Sequence, residues 1–251
     1  ADTNVRAPDR YTPLMRAVAA GADAAAVEAL LSGKANVRAQ DDQNRCALSL
    51  AAENSAVSPD LLERLIDAGA DPDTPSNGLE TPLMVACRAN NLPAVRVLLR
   101  RGADIGLRDQ RLWTPLFFAA ASGASADLLR TLASSGASID ETASQGMTPL
   151  MAALESPKGA AALKPLLELG TDPNLRNMAT VTPLMMATAN DDLESVALLL
   201  SFGADPTQGT WDGLTPLMVA ARRSRKAALL EALVSAGAPV DQPSGLGMTP
   251  L

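Results

Sequence analysis

Hydrophobic positions along the chain come in paired clusters, and the pairs recur. Each pair opens on a similar tetrad. Thr-Pro-Leu-Met stands at 12–15, 81–84, 148–151, 182–185 and 215–218, Thr-Pro-Leu-Phe at 114–117, and Cys-Ala-Leu-Ser at 46–49. A truncated Thr-Pro-Leu occupies 249–251. Successive tetrads begin 34, 35, 33, 34, 34, 33 and 34 positions apart. A period of this length marks one supersecondary unit stacked on its neighbours. Function is then expected on an extended surface rather than in a central pocket.

The copy beginning at Thr81 predicts two helices. Thr81 is a good N-cap, because its hydroxyl can accept from an early helix amide, and Pro82 at the first helical position loses no useful hydrogen bond. Leu83, Val85, Ala86 and Cys87 give a short first helix of small residues. Asn90-Asn91 turns the chain, and Pro93 opens a second helix with Val95, Val97, Leu98 and Leu99 facing the core. Arg100 and Arg101 suit the negative end of its dipole, and Gly102 can take the left-handed conformation that ends it. Gly102 has counterparts at 69, 136, 170, 203 and 237, with Lys34 in the first copy. From each to the next tetrad is always 12 residues. Length varies only between tetrad and glycine, so extra residues are expected in the turn between the helices or at an adjoining helix end. Lys34 is expected at positive φ.

This unit resembles the ankyrin repeat, a β-turn plus two helices whose first begins Thr-Pro-Leu-His-x-Ala. The Thr-Pro-Leu starts carry the resemblance, together with the alanine five places after each tetrad start: Ala17, Ala51, Ala86, Ala119, Ala153, Ala187 and Ala220. It implies an all-α solenoid of seven stacked helix pairs with projecting hairpin or loop connections. That reading treats residues 1–251 as one array, with repeat starts near 12, 46, 81, 114, 148, 182 and 215 and partial repeats at both ends. The expected context is a longer chain or a larger complex. One departure stands out: the family's histidine is Met, Phe or Ser in every full copy. Apolar packing is expected to replace the polar bracing that histidine gives neighbouring loops.

Composition narrows the chemistry. The 251 residues are 47% hydrophobic but only 2% aromatic, which suits thin layers of Ala and Leu. Net charge is −7, against the basic face a general nucleic-acid binder needs. The absence of histidine removes the commonest general base and transition-metal ligand. No zinc spacing, Walker loop or dinucleotide fingerprint appears, and Gly245-Leu246-Gly247 sits in a connection. The expectation is a non-enzyme with no catalytic residues, metal or cofactor. Cys46 and Cys87 fall at different points of adjacent repeats, so no disulfide is expected. No apolar run is long enough to span a bilayer, and an intracellular location is expected, though a leader already removed would leave no trace.

The resemblance implies a concave partner-binding surface made by the first helices and the connections. The residue before each tetrad is a favourable contact there: Tyr11, Arg45, Glu80, Trp113, Met147, Val181, Leu214 and Met248. The first three are mixed and the last five apolar. Met178 and Trp211, four places before their tetrads, add apolar groups near the loop tips. Arg222, Arg223, Arg225 and Lys226 form a basic group at the end of the seventh first helix, suited to an acidic peptide or phosphate. The expected partner surface comprises Trp113, Met147, Val181, Leu214, Trp211, Arg222 and Arg223. A bland alternative stands beside it. The apolar groups would fold onto neighbouring loops, and the arginines would pair with Asp191, Asp192 and Glu194 one repeat away. Glu53, Asn54, Arg88, Glu155 and Asn190 are further candidates for tuning specificity. The leading function is a protein-interaction scaffold, and the alternative is a structural spacer within a large assembly.

Overall fold

The computed structural model describes residues 3–223, 227–245 and 249. Arg225, Lys226 and Met248 lie outside them. The described residues contain fourteen α-helices, one 3-10 turn at Ser144–Gly146 and a single isolated bridge, Gln40 to Cys46. The fold is all-α, as the repeat predicts. The chain divides into two compact units, Ala1–Ala137 and Ser138–Leu251.

In the first unit α1 (Pro13–Ala19) pairs with α2 (Ala24–Ser32), and α3 (Ala47–Glu53) with α4 (Pro59–Asp67). Then α5 (Pro82–Arg88) pairs with α6 (Leu92–Arg100), and α7 (Pro115–Ser122) with α8 (Ala126–Ser134). In the second unit α9 (Pro149–Glu155) pairs with α10 (Ala160–Glu168) and α11 (Pro183–Ala189) with α12 (Leu193–Ser201). The last pair is α13 (Pro216–Arg223) and α14 (Ala227–Ser235). Within each unit the first helices stack on one another, and so do the second helices. All first helices begin directly after the tetrad's first residue. Every second helix has nine residues. The longest copy adds its extra residues in the turn 54–58, against 89–91 in a shortest copy, and α7 gains one at its end. The fixed connections are therefore what the stacking cannot vary.

The cores are thin. In α5 every residue from Pro82 to Cys87 is buried, and the alanines let neighbouring helices approach closely. Second helices bury one leucine- or valine-rich stripe, such as Leu61, Leu62 and Leu65 in α4 or Leu128, Leu129 and Leu132 in α8. The threonine hydroxyls cap as expected, accepting from the amides of Met15, Met84, Met151, Met185 and Met218 at 3.2 to 3.4 Å. Thr114 makes no such bond, and Cys46 lies 3.4 Å from the Ser49 hydroxyl instead.

The bracing expected of the missing histidine is divided. The methionines that replace it are buried, and Met84 sulfur also accepts from the Thr81 amide at 3.4 Å. Polar bracing persists elsewhere, so packing alone does not replace it. The Gln43 carbonyl accepts from the Asn77 amide at 2.9 Å, Gly78 from Gln110 at 3.2 Å, and Gln145 from Met178 at 2.9 Å. Second helices of the first unit add ion pairs across repeats, Arg64–Glu28 at 2.9 Å and Arg100–Glu63 at 2.8 Å. These are exposed and worth little individually.

Two backbone positions test the packing. Lys34 has φ 62°, in the register where the six glycines have φ between 85° and 98°. A left-handed conformation costs a side-chain-bearing residue about 1–2 kcal/mol, and glycine's extra unfolded-state entropy returns about 0.5–1 kcal/mol. Lys34→Gly should therefore raise stability by about 0.5–1 kcal/mol in urea unfolding; a fall would contradict the strain. Gly159 is the opposite case. A Cβ there would stand 2.2 Å from the Ala153 carbonyl oxygen and 2.6 Å from its Cα. Gly159→Ala should cost about 1–3 kcal/mol, and a neutral result would contradict the close approach.

Candidate functional site

The surface is built on the hairpins that join successive repeats. Each turns tightly because the residue two places before the tetrad is left-handed: Arg10, Asn44, Leu79, Leu112, Gly146, Thr180 and Gly213. Most hairpins are also pinned by an oxygen five places before the tetrad. Asp109 Oδ1 accepts from the amides of Arg111 and Trp113, both at 2.8 Å. Asp41 does the same for Gln43 and Arg45 at 2.8 and 2.9 Å. Asn177 Oδ1 accepts from Ala179 and Val181 at 3.0 Å, and Thr210 Oγ1 from Leu214 at 3.0 Å. The residue directly before each tetrad is thereby held, and from Tyr11 to Leu214 all seven are half-buried.

In the first unit these residues are engaged locally. Tyr11 OH accepts from Arg45 at 2.8 Å, and Arg45 also meets the buried Asp41 carboxylate at 2.9 Å. Glu80 pairs with Arg88 at 2.7 Å. Trp113 stacks on Phe117 with centroids 5.6 Å apart and meets Phe118 edge-on at 5.6 Å. The Arg111 guanidinium covers its ring at 3.9 Å and pairs with Asp109 at 3.1 Å. Trp113 is thus both core lid and half-exposed surface.

The second unit differs. Val181 and Leu214 line a groove of about 440 Å³ whose floor includes Met185 and Met186 of α11 and Val219 of α13. Arg222 and Arg223 stand at its end. Both are exposed, and neither forms an ion pair among the described residues. Arg223 donates to the Ala189 carbonyl at 3.3 Å. On the hairpins that carry Leu214 and Val181, Trp211 is 84% exposed and Met178 74%. The two hairpins are tied together, since the Trp211 amide donates to Thr180 Oγ1 at 2.8 Å. Met147 is half-buried in the hairpin before α9.

A family model described as ankyrin repeats (3 copies) matches residues 1–76, 55–143, 83–177 and 162–244. The chain belongs to the ankyrin-repeat family. Ankyrin repeats are in general protein–protein interaction modules and typically non-catalytic. The crystal structure of the human ASB11 ankyrin repeat domain superposes with a TM-score of 0.79 and 26% identity, over 91% of this chain and 99% of that one. Neurogenic locus notch homolog protein 1 of Mus musculus is 34% identical over 149 residues, and protein 2 of Homo sapiens is 34% identical over 151. Each match covers 53% of this chain and 6% of the notch protein, so the chain spans a small part of these relatives' length.

Several of the polar candidates also make contacts within the stack. Asn54 donates to the Ala19 carbonyl at 3.3 Å and Asn190 to Leu154 at 2.9 Å. Arg88 lies between Glu80 and Glu53. These groups clamp adjacent repeats. The acceptors Asp41, Asp109, Asn177 and Thr210 escaped the sequence reading, although their fixed place in the period was a usable signal. Burial pushes the Cys87 thiol well up, which makes it an inert core residue. No described helix is long and apolar enough to cross a membrane, and no described acidic or cysteine cluster is arranged to hold a metal.

The two tryptophans should separate in stability measurements. Trp113→Ala loses its stacking on Phe117 and Phe118 and should cost about 1–2 kcal/mol. Trp211→Ala removes an exposed ring and should stay within about 0.5 kcal/mol. Urea unfolding of each variant checks this, and equal losses would contradict the assignment.

Proposed function

We propose that this chain is a non-catalytic scaffold that takes a protein partner on the face formed by its first helices and hairpins. The main contact lies in the second unit, on Val181, Leu214 and Trp211, with Met147 in the same register and Arg222 and Arg223 at the groove's end. Trp113 offers a separate contact in the first unit. The supporting observation is the 84% exposure of Trp211 on the hairpin whose Thr210 and Leu214 line an apolar groove. A chain with only 2% aromatic residues leaves one of its two tryptophans almost wholly in solvent. Exposed apolar groups gathered around a groove mark interaction sites, and tryptophan is a common anchor.

The contrast along the chain supports the same reading. In repeats 1 to 3 the residue before the tetrad is taken up by polar partners, as in Arg45 with Asp41 and Glu80 with Arg88. Val181 and Leu214 have no such partner and line open space. Two leucines add a detail. Leu79 and Leu112 are 47% and 46% exposed while holding left-handed backbone. That backbone is the turn geometry shared by every hairpin, so these leucines add exposed apolar surface to the first unit without marking the assigned face.

Quantitative affinity purification with mass spectrometry tests the proposal. Trp211→Ala should deplete a partner about tenfold or more, since truncating a central tryptophan costs about 2 kcal/mol. Val234→Ala, an exposed change on α14, should leave that partner in place. Equal recovery with both variants would overturn the assigned face.

A further inference from the structure

The chemistry at the groove's two ends specifies the kind of segment that occupies it. This inference rests on the proposed docking face and adds the partner's character. Along the groove, Val181, Leu214, Met186 and Val219 present aliphatic and thioether surface. At its end stand two guanidinium groups, and no carboxylate lines the groove among the described residues. The pair thus has no carboxylate beside it in the groove lining. The chain carries 28 acidic against 21 basic residues, and although Arg38 and Arg176 bond to neutral groups, many of its other arginines meet acids, as Arg16, Arg45, Arg64, Arg88, Arg100, Arg111 and Arg130 do. Arg222 and Arg223 do not, among the described residues.

An arginine pair can be placed at a helix end simply to complement the helix dipole. Here the pair also closes an apolar groove, which the dipole does not require. Guanidinium groups bind carboxylates in a forked, charge-assisted geometry, and an apolar floor beside them rejects a segment that is charged throughout.

We infer that the groove between α11 and α13 takes an extended protein segment carrying an apolar anchor and, a few residues away, an acidic pair. The anchor sits against Val181, Leu214 and Met186, and the acidic pair meets Arg222 and Arg223. The spacing follows from the scaffold. Helix α13 runs from Pro216 to Arg223, so the arginines stand about 10 Å along it from its start at a rise of about 1.5 Å per residue. An extended chain covers that distance in about three residues. The recognised pattern is therefore a Leu, Met or aromatic residue followed or preceded, at three to four places, by two acids.

The test is selection from a random 12-residue phage-displayed peptide library on the immobilised 251-residue chain, in parallel with R222E/R223E and with V181S/L214S. Circular dichroism checks that each variant folds, and M186E, on the half-buried face of α11, stands in for V181S/L214S if that pair does not. The wild-type chain should enrich peptides with the acidic pair at the stated spacing. A synthetic peptide from that pool, measured by fluorescence anisotropy, should bind R222E/R223E about tenfold or more weakly, weaken with added salt, and be lost on V181S/L214S or M186E. Enriched peptides that lack acids and ignore R222E/R223E, yet are lost on the apolar variants, would overturn the acidic character while leaving the docking face intact. Peptides indifferent to both sets, or no enrichment at all, would overturn both. Displacement by millimolar inorganic phosphate with no dependence on the apolar residues would reduce the site to a simple anion contact and also overturn the inference.

Discussion

No helix pair of this chain can bury its apolar face alone. A seven-residue first helix and a nine-residue second helix enclose too little, so each pair depends on the one beside it. This constraint sets the composition and the constant connection. First helices are alanine-rich because they touch neighbours on both sides, and α5 buries six consecutive residues. Connections keep one length because a hairpin of another length would break register with its neighbours. The turn between helices faces solvent and absorbs the variation instead.

The same dependence decides what remains for function. Hairpin ends and exposed helix ends are the parts of each repeat that the stack does not use, and they diverge along the chain. In the first unit Tyr11 and Arg45 tie repeats together, and Arg88, held by Glu80, reaches Glu53 of the preceding repeat. In the second unit that register is apolar and opens onto a groove. A repeat fold thus holds backbone geometry constant and lets side chains at one position serve cohesion in one place and recognition in another.

Much of the fold was legible because its signals are local. Thr-Pro marks each helix start, and a glycine register with Lys34 as its exception marks each helix end; Lys34 has the positive φ that this register requires. Val181 and Leu214 were legible as contact candidates from their place before the tetrad. The groove floor was not. Met185 belongs to the tetrad and reads as core, and only the packing of α11 beside α13 brings Met186 and Val219 to the same opening. Asn54 and Asn190 read only as candidates for tuning specificity, because the carbonyls they clamp lie 35 and 36 residues away. Thr114 lacks the cap its sequence promises. The pinning oxygens escaped notice because Asp, Asn and Thr fill one role without sharing a side chain.

The central claim is that partners engage the hairpin and first-helix face of the second unit. Site-specific photocrosslinking tests it most directly, with benzoylphenylalanine placed at Met178 in one variant and at Phe202 in another. Both positions are exposed, at 74% and 38%, but Met178 lies at a hairpin tip and Phe202 at the end of α12. A partner captured from Met178 and not from Phe202 is the predicted result. Capture from Phe202 alone, or equally from both, would contradict it.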